Sequence, residues 1–299
     1  MIVLPGPASR ELGERIAEGL GTVPRQVDHR VFPDGESYIK IYPDLKGETV
    51  VIVQTTAPSQ DQRLIQLFMM VRTAKELGAA RVICVVPYLA YSRQDKRFLD
   101  GESYSLDLVI KMMSDLGVDD LIVADTHSKA SLDRVNAEYR IRVHNISGIP
   151  LLAEYLKENG FDGAYSLSPD KGAIYLAQAA DVVLGGGYGF FEKVRDLRTG
   201  EIEMNVKNLE VSGRKTVVFD DIISSGGTMA RAIEGLKSQG AEKVAAACTH
   251  ALFMGEAGDR IREAGADILV FTDSVETSTE GVSITIAPLV VRELNKLVS

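Results

Sequence analysis

Short apolar runs rich in Val and Ile recur along the chain, at residues 49–54, 81–87, 119–124, 215–219, 244–251 and 268–272, each the length of a buried strand. Between them, residues 60–77, 105–116 and 228–239 carry helical patterns. This alternation predicts an α/β class fold with mainly parallel sheets flanked by helices. In such sheets ligands bind beyond the carboxyl ends of the strands, so the residues just after each run are where chemistry is expected.

One internal echo organises the chain. Thr49 to Val53, a helix and then Leu77-Gly78-Ala79-Ala80-Arg81-Val82 resembles Thr216 to Asp220, a helix and Gln239-Gly240-Ala241-Glu242-Lys243-Val244. The first copy is five residues longer, in its N-terminal turn or its helix. Two similar domains are expected, 1–147 and 148–299, with the last helix, 289–298, a candidate to pack back on the first domain. Residues 190–211 read differently: two alternating segments rich in charge flank Thr199-Gly200, the pattern of a projecting hairpin.

Composition narrows the partners. The chain of 299 residues carries 33 Lys and Arg against 42 Asp and Glu, a net charge of −9 that attracts neither a nucleic-acid backbone nor an anionic membrane. No apolar run is long enough to span a bilayer, and no export signal is read at the N-terminus. The two cysteines, Cys84 and Cys248, sit inside apolar runs, which predicts reduced thiols and a cytoplasmic setting.

The most specific motif runs from Val217 to Thr228. A buried strand delivers Asp220 and Asp221 at its carboxyl end, and Ser224, Ser225, Gly226, Gly227 and Thr228 then turn into a helix. Small residues at a helix N-terminus present several N–H groups and hydroxyls to a phosphate. The two carboxylates repel that phosphate but accept hydrogen bonds from adjacent sugar hydroxyls. A phosphorylated ribose satisfies both halves.

At these residues the sequence resembles the phosphoribosyl diphosphate binding motif of the type I phosphoribosyltransferase fold. The remaining motifs narrow the match: Phe32-Pro33-Asp34-Gly35-Glu36, Tyr91-Ser92-Arg93-Gln94-Asp95, Asp125-Thr126-His127-Ser128, Ser168-Pro169-Asp170-Lys171-Gly172 and Glu192-Lys193-Val194-Arg195. In order and approximate spacing they are similar to those of the ribose-phosphate pyrophosphokinase family, and the resemblance covers essentially the whole chain.

That resemblance implies a Mg²⁺-dependent transfer of the β,γ-diphosphoryl group of ATP to the 1-hydroxyl of ribose 5-phosphate. It implies that Phe32, Asp34, Gly35, Glu36, Arg93 and Gln94 hold ATP, whose adenine can stack on an aromatic face and a guanidinium plane. His127 and Asp170 match metal-binding positions, with Asp125 a weaker second candidate. Lys193 and Arg195 match the cations that face the transferring phosphoryl groups, Arg195 also contacting the sugar phosphate. Taken alone, Phe32 also fits a turn staple, His127 and Asp170 loop polar groups, and Lys193 with Arg195 a solvated face. The chain has no Gly-x-x-x-x-Gly-Lys phosphate loop, and the Gly185-Gly186-Gly187-Tyr188-Gly189 run lacks both its Lys and the dinucleotide spacing.

The family further implies a homo-oligomer, at least a dimer, in which Phe32 to Glu36 reach a neighbour's adenine pocket. Departures at Ser168 to Ala173, at Ser224 to Gly227 and between His127 and His144 resemble the archaeal branch, and they leave hexamer assembly and ADP regulation open. Two other functions fit parts of the pattern. A phosphoribosyltransferase uses residues 220–228 but leaves Phe32 to Glu36 and Arg93-Gln94 without a task. A noncatalytic associated subunit has no need of His127, Asp170, Lys193 and Arg195.

Overall fold

A computed structural model of the chain describes residues 1–97, 99–126, 129–195, 202–205 and 209–298, with the side chains of 129–130, 193–195 and 202–205 outside the description. Contacts divide it into two compact units. The first comprises Met1–Ile146, Ser274–Glu276 and Thr285–Ser299, the second Ser147–Asp273 and Thr277–Ile284.

In the first unit the chain runs β1 (Ile2–Pro5), α1 (Arg10–Gly19), a hairpin of β2 (Val27–Val31) and β3 (Ser37–Ile41), β4 (Thr49–Val53), α2 (Gln60–Glu76), β5 (Arg81–Val85), α3 (Ser105–Asp115), β6 (Asp120–Ala124), α4 (Lys129–Glu138) and β7 (Arg142–Ile146). The five-stranded sheet has the order β1-β4-β5-β6-β7, all parallel. Val50 to Val53 and Val82 to Val85 are fully buried. Such strands are continuous apolar runs because helices must cover both faces of a parallel sheet.

The second unit follows without a linker: α5 (Ile149–Leu156) starts three residues after β7, with Pro150 in its first turn where a missing N–H costs nothing. Then come β8 (Tyr165–Ser168), α6 (Ile174–Leu184), β9 (Tyr188–Phe190), a hairpin of β10 (Glu192–Arg195) and β11 (Ile202–Asn205), β12 (Lys215–Ile223), α7 (Gly227–Ser238), β13 (Lys243–Ala251), α8 (Ala257–Glu263), β14 (Ile268–Thr272) and β15 (Val282–Ile284). The six parallel strands lie in the order β15-β14-β13-β12-β8-β9. Strand alternation sorts the core. Val217 and Phe219 of β12 join α5 and α6, whereas Val218 joins α7 and α8.

The echo is a real repeat of structure. In each copy six residues separate the aligned strand segment from its helix, and α2 has 17 residues where α7 has 12, so all five extra residues lie in the helix. Gly78 and Gly240, with φ of 87° and 81°, end the two helices in the left-handed region that glycine adopts without strain.

The last helix, α9 (Ala287–Val298), packs on α1 of the first unit and buries Ala287, Val290 and Leu294. Its end is clasped by the first unit's sheet. Arg81 Nη1 donates to the Leu297 carbonyl at 2.6 Å, and Arg81 also meets the buried Asp120 carboxylate, together with Arg142 and His144. Burial by itself would raise Asp120, but bonds from His144, Arg142 and Arg81 hold it well below the usual carboxylate range.

Several sequence-based boundaries are corrected. Strand β12 runs on to Ile223, so Asp220 and Asp221 lie within it rather than after it, because β13 continues alongside and pairs Asp220 with Cys248 and Ile222 with His250. Strand β6 begins at Asp120 rather than 119, although the Asp119 N–H still donates to the Val82 carbonyl, and the Asp119 carboxylate accepts from Lys75 Nζ and the Val82 N–H. Helix α7 begins at Gly227, one residue before Thr228. The 190–211 segment does pair as an antiparallel hairpin, Glu192 opposite Asn205 and Arg195 opposite Ile202, while Thr199-Gly200 lies outside the described residues.

Candidate active site

In the second unit three neighbouring strands deliver the candidate groups to one sheet edge. Val218 of β12 pairs with Leu167 of β8, which brings Asp220 alongside Pro169 and Asp170, just past the end of β8. Ser168 of β8 pairs with Phe190 of β9, and β10, which carries Lys193 and Arg195, starts two residues later. The backbone therefore brings positions 170 and 220 together at the carboxyl edge, where β10, which carries positions 193 and 195, begins. The side chains of Lys193 and Arg195 are outside the described residues.

Two carboxylates on consecutive residues, close to a third, strain against ionisation. Desolvation, the Asp221 charge and the Asp170 charge all push the Asp220 carboxyl well above its ordinary range. Asp220 Oδ1 accepts from the Asp221 N–H at 3.0 Å, and Asp221 Oδ1 from the Ile222 N–H at 2.9 Å. Asp170 caps a short 3₁₀ turn at Lys171–Ala173, its Oδ1 accepting from Gly172 and Ala173 N–H at 2.9 and 3.3 Å. The loop role of Asp170 is thus present, at the same sheet edge as Asp220.

The turn from Ser224 to Thr228 is held from below. Met254 N–H donates to the Ser224 carbonyl at 2.9 Å, Ser224 Oγ donates to Met254 Sδ, and Arg260 donates to the Ser225 carbonyl. Gly226 precedes α7 with φ of 74°, and a Cβ there would lie 2.8 Å from the Ala257 carbonyl oxygen, so the turn needs glycine twice over. Gly227 and Thr228 open the helix, where N–H groups have no intrahelical acceptor and the dipole is positive. Geometrically this is an anion cradle with acceptors beside it.

The first unit carries the other group. Phe32 to Glu36 form the closed turn of the β2–β3 hairpin: Phe32 N–H donates to the Glu36 carbonyl at 2.8 Å, Gly35 N–H to the Phe32 carbonyl at 2.9 Å, and Glu36 N–H to Asp34 Oδ1 at 3.2 Å. Gln62 Nε2 donates to the Gly35 carbonyl, and the Tyr91 hydroxyl donates to Asp61. Consecutive residues in the first turn of α2 therefore tie the hairpin tip and the Tyr91 to Gln94 loop to one place. Arg93 is exposed, whereas Gln94 is half-buried and accepts from Ser105 Oγ at 3.0 Å. Ser131 of α4 donates to Asp95 at 2.9 Å, joining this loop to the helix that follows residue 127. His127 lies outside the described residues, and Asp125 is buried with its N–H on the Ile146 carbonyl.

Sequence reasoning missed Arg30 and Tyr38, which flank Phe32, and Asp61 and Gln62. The alternation of 27–31 and 37–41 around Pro33-Asp34-Gly35 signals the hairpin and so the cross-strand pair; nothing local signals the α2 contacts.

Comparison with known proteins agrees with this layout. Residues 166–279, which hold the acid pair and the anion cradle, match the family model described as phosphoribosyl transferase domain, so the fold and loop define that class. Residues 1–117 match the model described as N-terminal domain of ribose phosphate pyrophosphokinase. The chain is 37% identical over 283 residues to a ribose-phosphate pyrophosphokinase of Saccharolobus solfataricus, covering 94% of this chain and 96% of that one. It is 38% identical over 299 residues to another from Methanopyrus kandleri, covering 99% of each. A phosphoribosylpyrophosphate synthetase crystal structure from Mycobacterium smegmatis superposes with a TM-score of 0.88 at 25% identity, over 99% of this chain and 98% of that one. The chain belongs to the ribose-phosphate pyrophosphokinase family.

Proposed function

We propose that the chain transfers the β,γ-diphosphoryl group of ATP to the 1-hydroxyl of ribose 5-phosphate, giving 5-phosphoribosyl 1-diphosphate and AMP. The observation that carries this reading is the β12–α7 turn, an acid pair beside an anion cradle, with Asp170 and the β10 strand at the same edge. The sugar phosphate occupies the N–H groups of Gly226 to Thr228 with the hydroxyls of Ser224, Ser225 and Thr228, and the ribose hydroxyls donate to Asp220 and Asp221. The 1-hydroxyl oxygen then forms a bond to the β-phosphorus, the bond from that phosphorus to the oxygen bridging it to the α-phosphorus breaks, and AMP leaves with that oxygen while the hydroxyl proton passes to solvent. Lys193 and Arg195 face the transferring group, where phosphoryl chemistry needs positioning and charge rather than a covalent nucleophile.

ATP is assigned to Phe32, Asp34, Gly35, Glu36, Arg93 and Gln94. Mg²⁺, when bound, spreads the charge of the ATP phosphates, and His127 and Asp170 are the residues assigned to it. Among the described residues no three His, Cys, Asp or Glu side chains converge as a metal cage. A half-buried Asp170, in a field negative enough to raise Asp220, fits a cation that keeps most of its waters.

Among the described residues no helix is long and apolar enough to cross a membrane. The free, buried thiols of Cys84 and Cys248 support a reducing compartment, the cytoplasm. The test is AMP release from ATP and ribose 5-phosphate by the purified chain with no nucleobase present. Absence of AMP, with phosphoribosyl diphosphate consumed only when a base is added, would convert the assignment to a phosphoribosyltransferase.

A further inference from the structure

The β2–β3 hairpin carries a cluster in which Arg30 and Tyr38 lie outside every motif and Phe32 opens one. Arg30 of β2 and Tyr38 of β3 are direct cross-strand partners. The Arg30 guanidinium carbon lies 4.7 Å from the centroid of the Phe32 ring and 4.7 Å from that of Tyr38. The two rings meet edge to face, with centroids 6.3 Å apart and planes at 80°. Phe32 and Tyr38 are each 37% exposed, so no core fixes either of them. A surface phenylalanine without neighbours samples several rotamers and must lose that freedom when a ligand stacks on it. Here a cation and a second ring restrict it beforehand, and Phe32 still leaves part of its ring open.

We propose that Arg30 is a positioning residue for nucleotide binding, bridging the Phe32 and Tyr38 rings and so holding Phe32 in the orientation that receives the base. This rests on the assignment of Phe32 to ATP. The strand register makes the arrangement possible: Arg30 is two residues before Phe32 on the same side of the chain, and pairing places Tyr38 beside it. An exposed cation–π contact is weak singly, but here one guanidinium serves two rings.

Steady-state kinetics of the full-length protein test this. Arg30→Ala is expected to raise the KM for ATP by roughly 3- to 10-fold, the scale of one or two such contacts. Turnover at saturating ATP and the KM for ribose 5-phosphate should stay within about twofold, because a group that acts only on base positioning leaves the chemical step alone. Arg30→Lys, which keeps the cation, should recover part of the loss. In a Phe32→Ala background Arg30→Ala should add nothing, since its effect passes through that ring.

An unchanged KM for ATP, a turnover loss as large as the KM change, or a full additional effect in the Phe32→Ala background each overturns the positioning role. If Arg30→Ala fails to fold, Tyr38→Leu frees one side of the guanidinium and is read by the same criteria. Phe32→Ala without effect on ATP instead removes the base assignment itself, a different failure with its own signature.

Discussion

Ser59 and Gly226 hold the same place in two copies of one turn. Each is the residue before a helix, α2 or α7, and each lies in the left-handed region, with φ of 64° and 74°. The backbone is repeated while the chemistry is not: where the second copy has Asp220, Asp221, Ser224 and Ser225, the first has Val53, Gln54, Ala57 and Pro58. Gln54 turns inward, its Oε1 accepting from Ala8 N–H at 3.0 Å, and the Thr56 hydroxyl is shared between Tyr88 and Ala90. In the first unit the turn's polar groups serve the fold; in the second they face the sheet edge.

The strain at Gly226 makes a sharp test. Gly226→Ala puts a Cβ against the Ala257 carbonyl in a left-handed backbone, so a loss of roughly 1–3 kcal/mol of stability is expected. Ribose 5-phosphate affinity should fall with it and ATP affinity should change less. Thermal unfolding and calorimetry with each ligand measure both.

Lys193→Ala is expected to lower turnover by roughly 10²- to 10³-fold, the range for losing a preorganised charge that faces the transition state. Substrate binding should change little. Near-normal turnover in steady-state assays removes the assigned role.

Asp220→Ala should weaken ribose 5-phosphate by roughly 1.5–3 kcal/mol, the scale of hydrogen bonds to a charged acceptor, because hydrogen bonds donated by the sugar hydroxyls favour the ionised form that burial and Asp221 otherwise oppose. ATP binding should hardly move. Calorimetry that shows equal losses for both ligands points to local collapse instead.

Asp120 anchors the α9 clasp as a carboxylate. Its folded-state value lies below its unfolded value, so its contribution is present in full above the ordinary carboxylate range and is lost as pH falls through it toward the depressed value. Asp120→Asn, which leaves Arg81 and Arg142 facing a neutral amide, is expected to cost roughly 3–5 kcal/mol. In denaturant melts of both proteins from about pH 7 down to about pH 3, the gap between them should begin to narrow below the ordinary carboxylate range; parallel curves would falsify the charge argument.

We propose that the Phe32 to Glu36 turn reaches a neighbouring subunit's adenine pocket, as the family resemblance implies. A Phe32→Ala, Asp34→Ala double mutant and a Lys193→Ala mutant, each inactive, should then regain activity when their subunits exchange, because one site of a hybrid dimer has both intact halves. No recovery despite demonstrated exchange refutes the shared site and leaves the reaction standing.

The strands, the main helices and the phosphate-type turn were legible because their information is local. A buried parallel strand is an apolar run, and a helix entered through Ser, Gly and Thr after two acids is a contiguous pattern. The repeat was legible for the same reason, whereas the structure decided that its five extra residues lie in α2 and not in the turn. What only the tertiary structure decided depends on contacts between distant residues. Asp120 meets Arg81 and Arg142, 39 and 22 positions away, and Arg81 reaches Leu297 across 216, so no window of sequence holds that clasp. Strand pairing extended β12 past Asp220 and Asp221, since a strand continues as long as its neighbours offer partners. Hairpin register, rather than any motif, set Arg30 between Phe32 and Tyr38. Local pattern specifies which elements form; long-range burial and hydrogen bonding specify where each ends and which side chains it brings together.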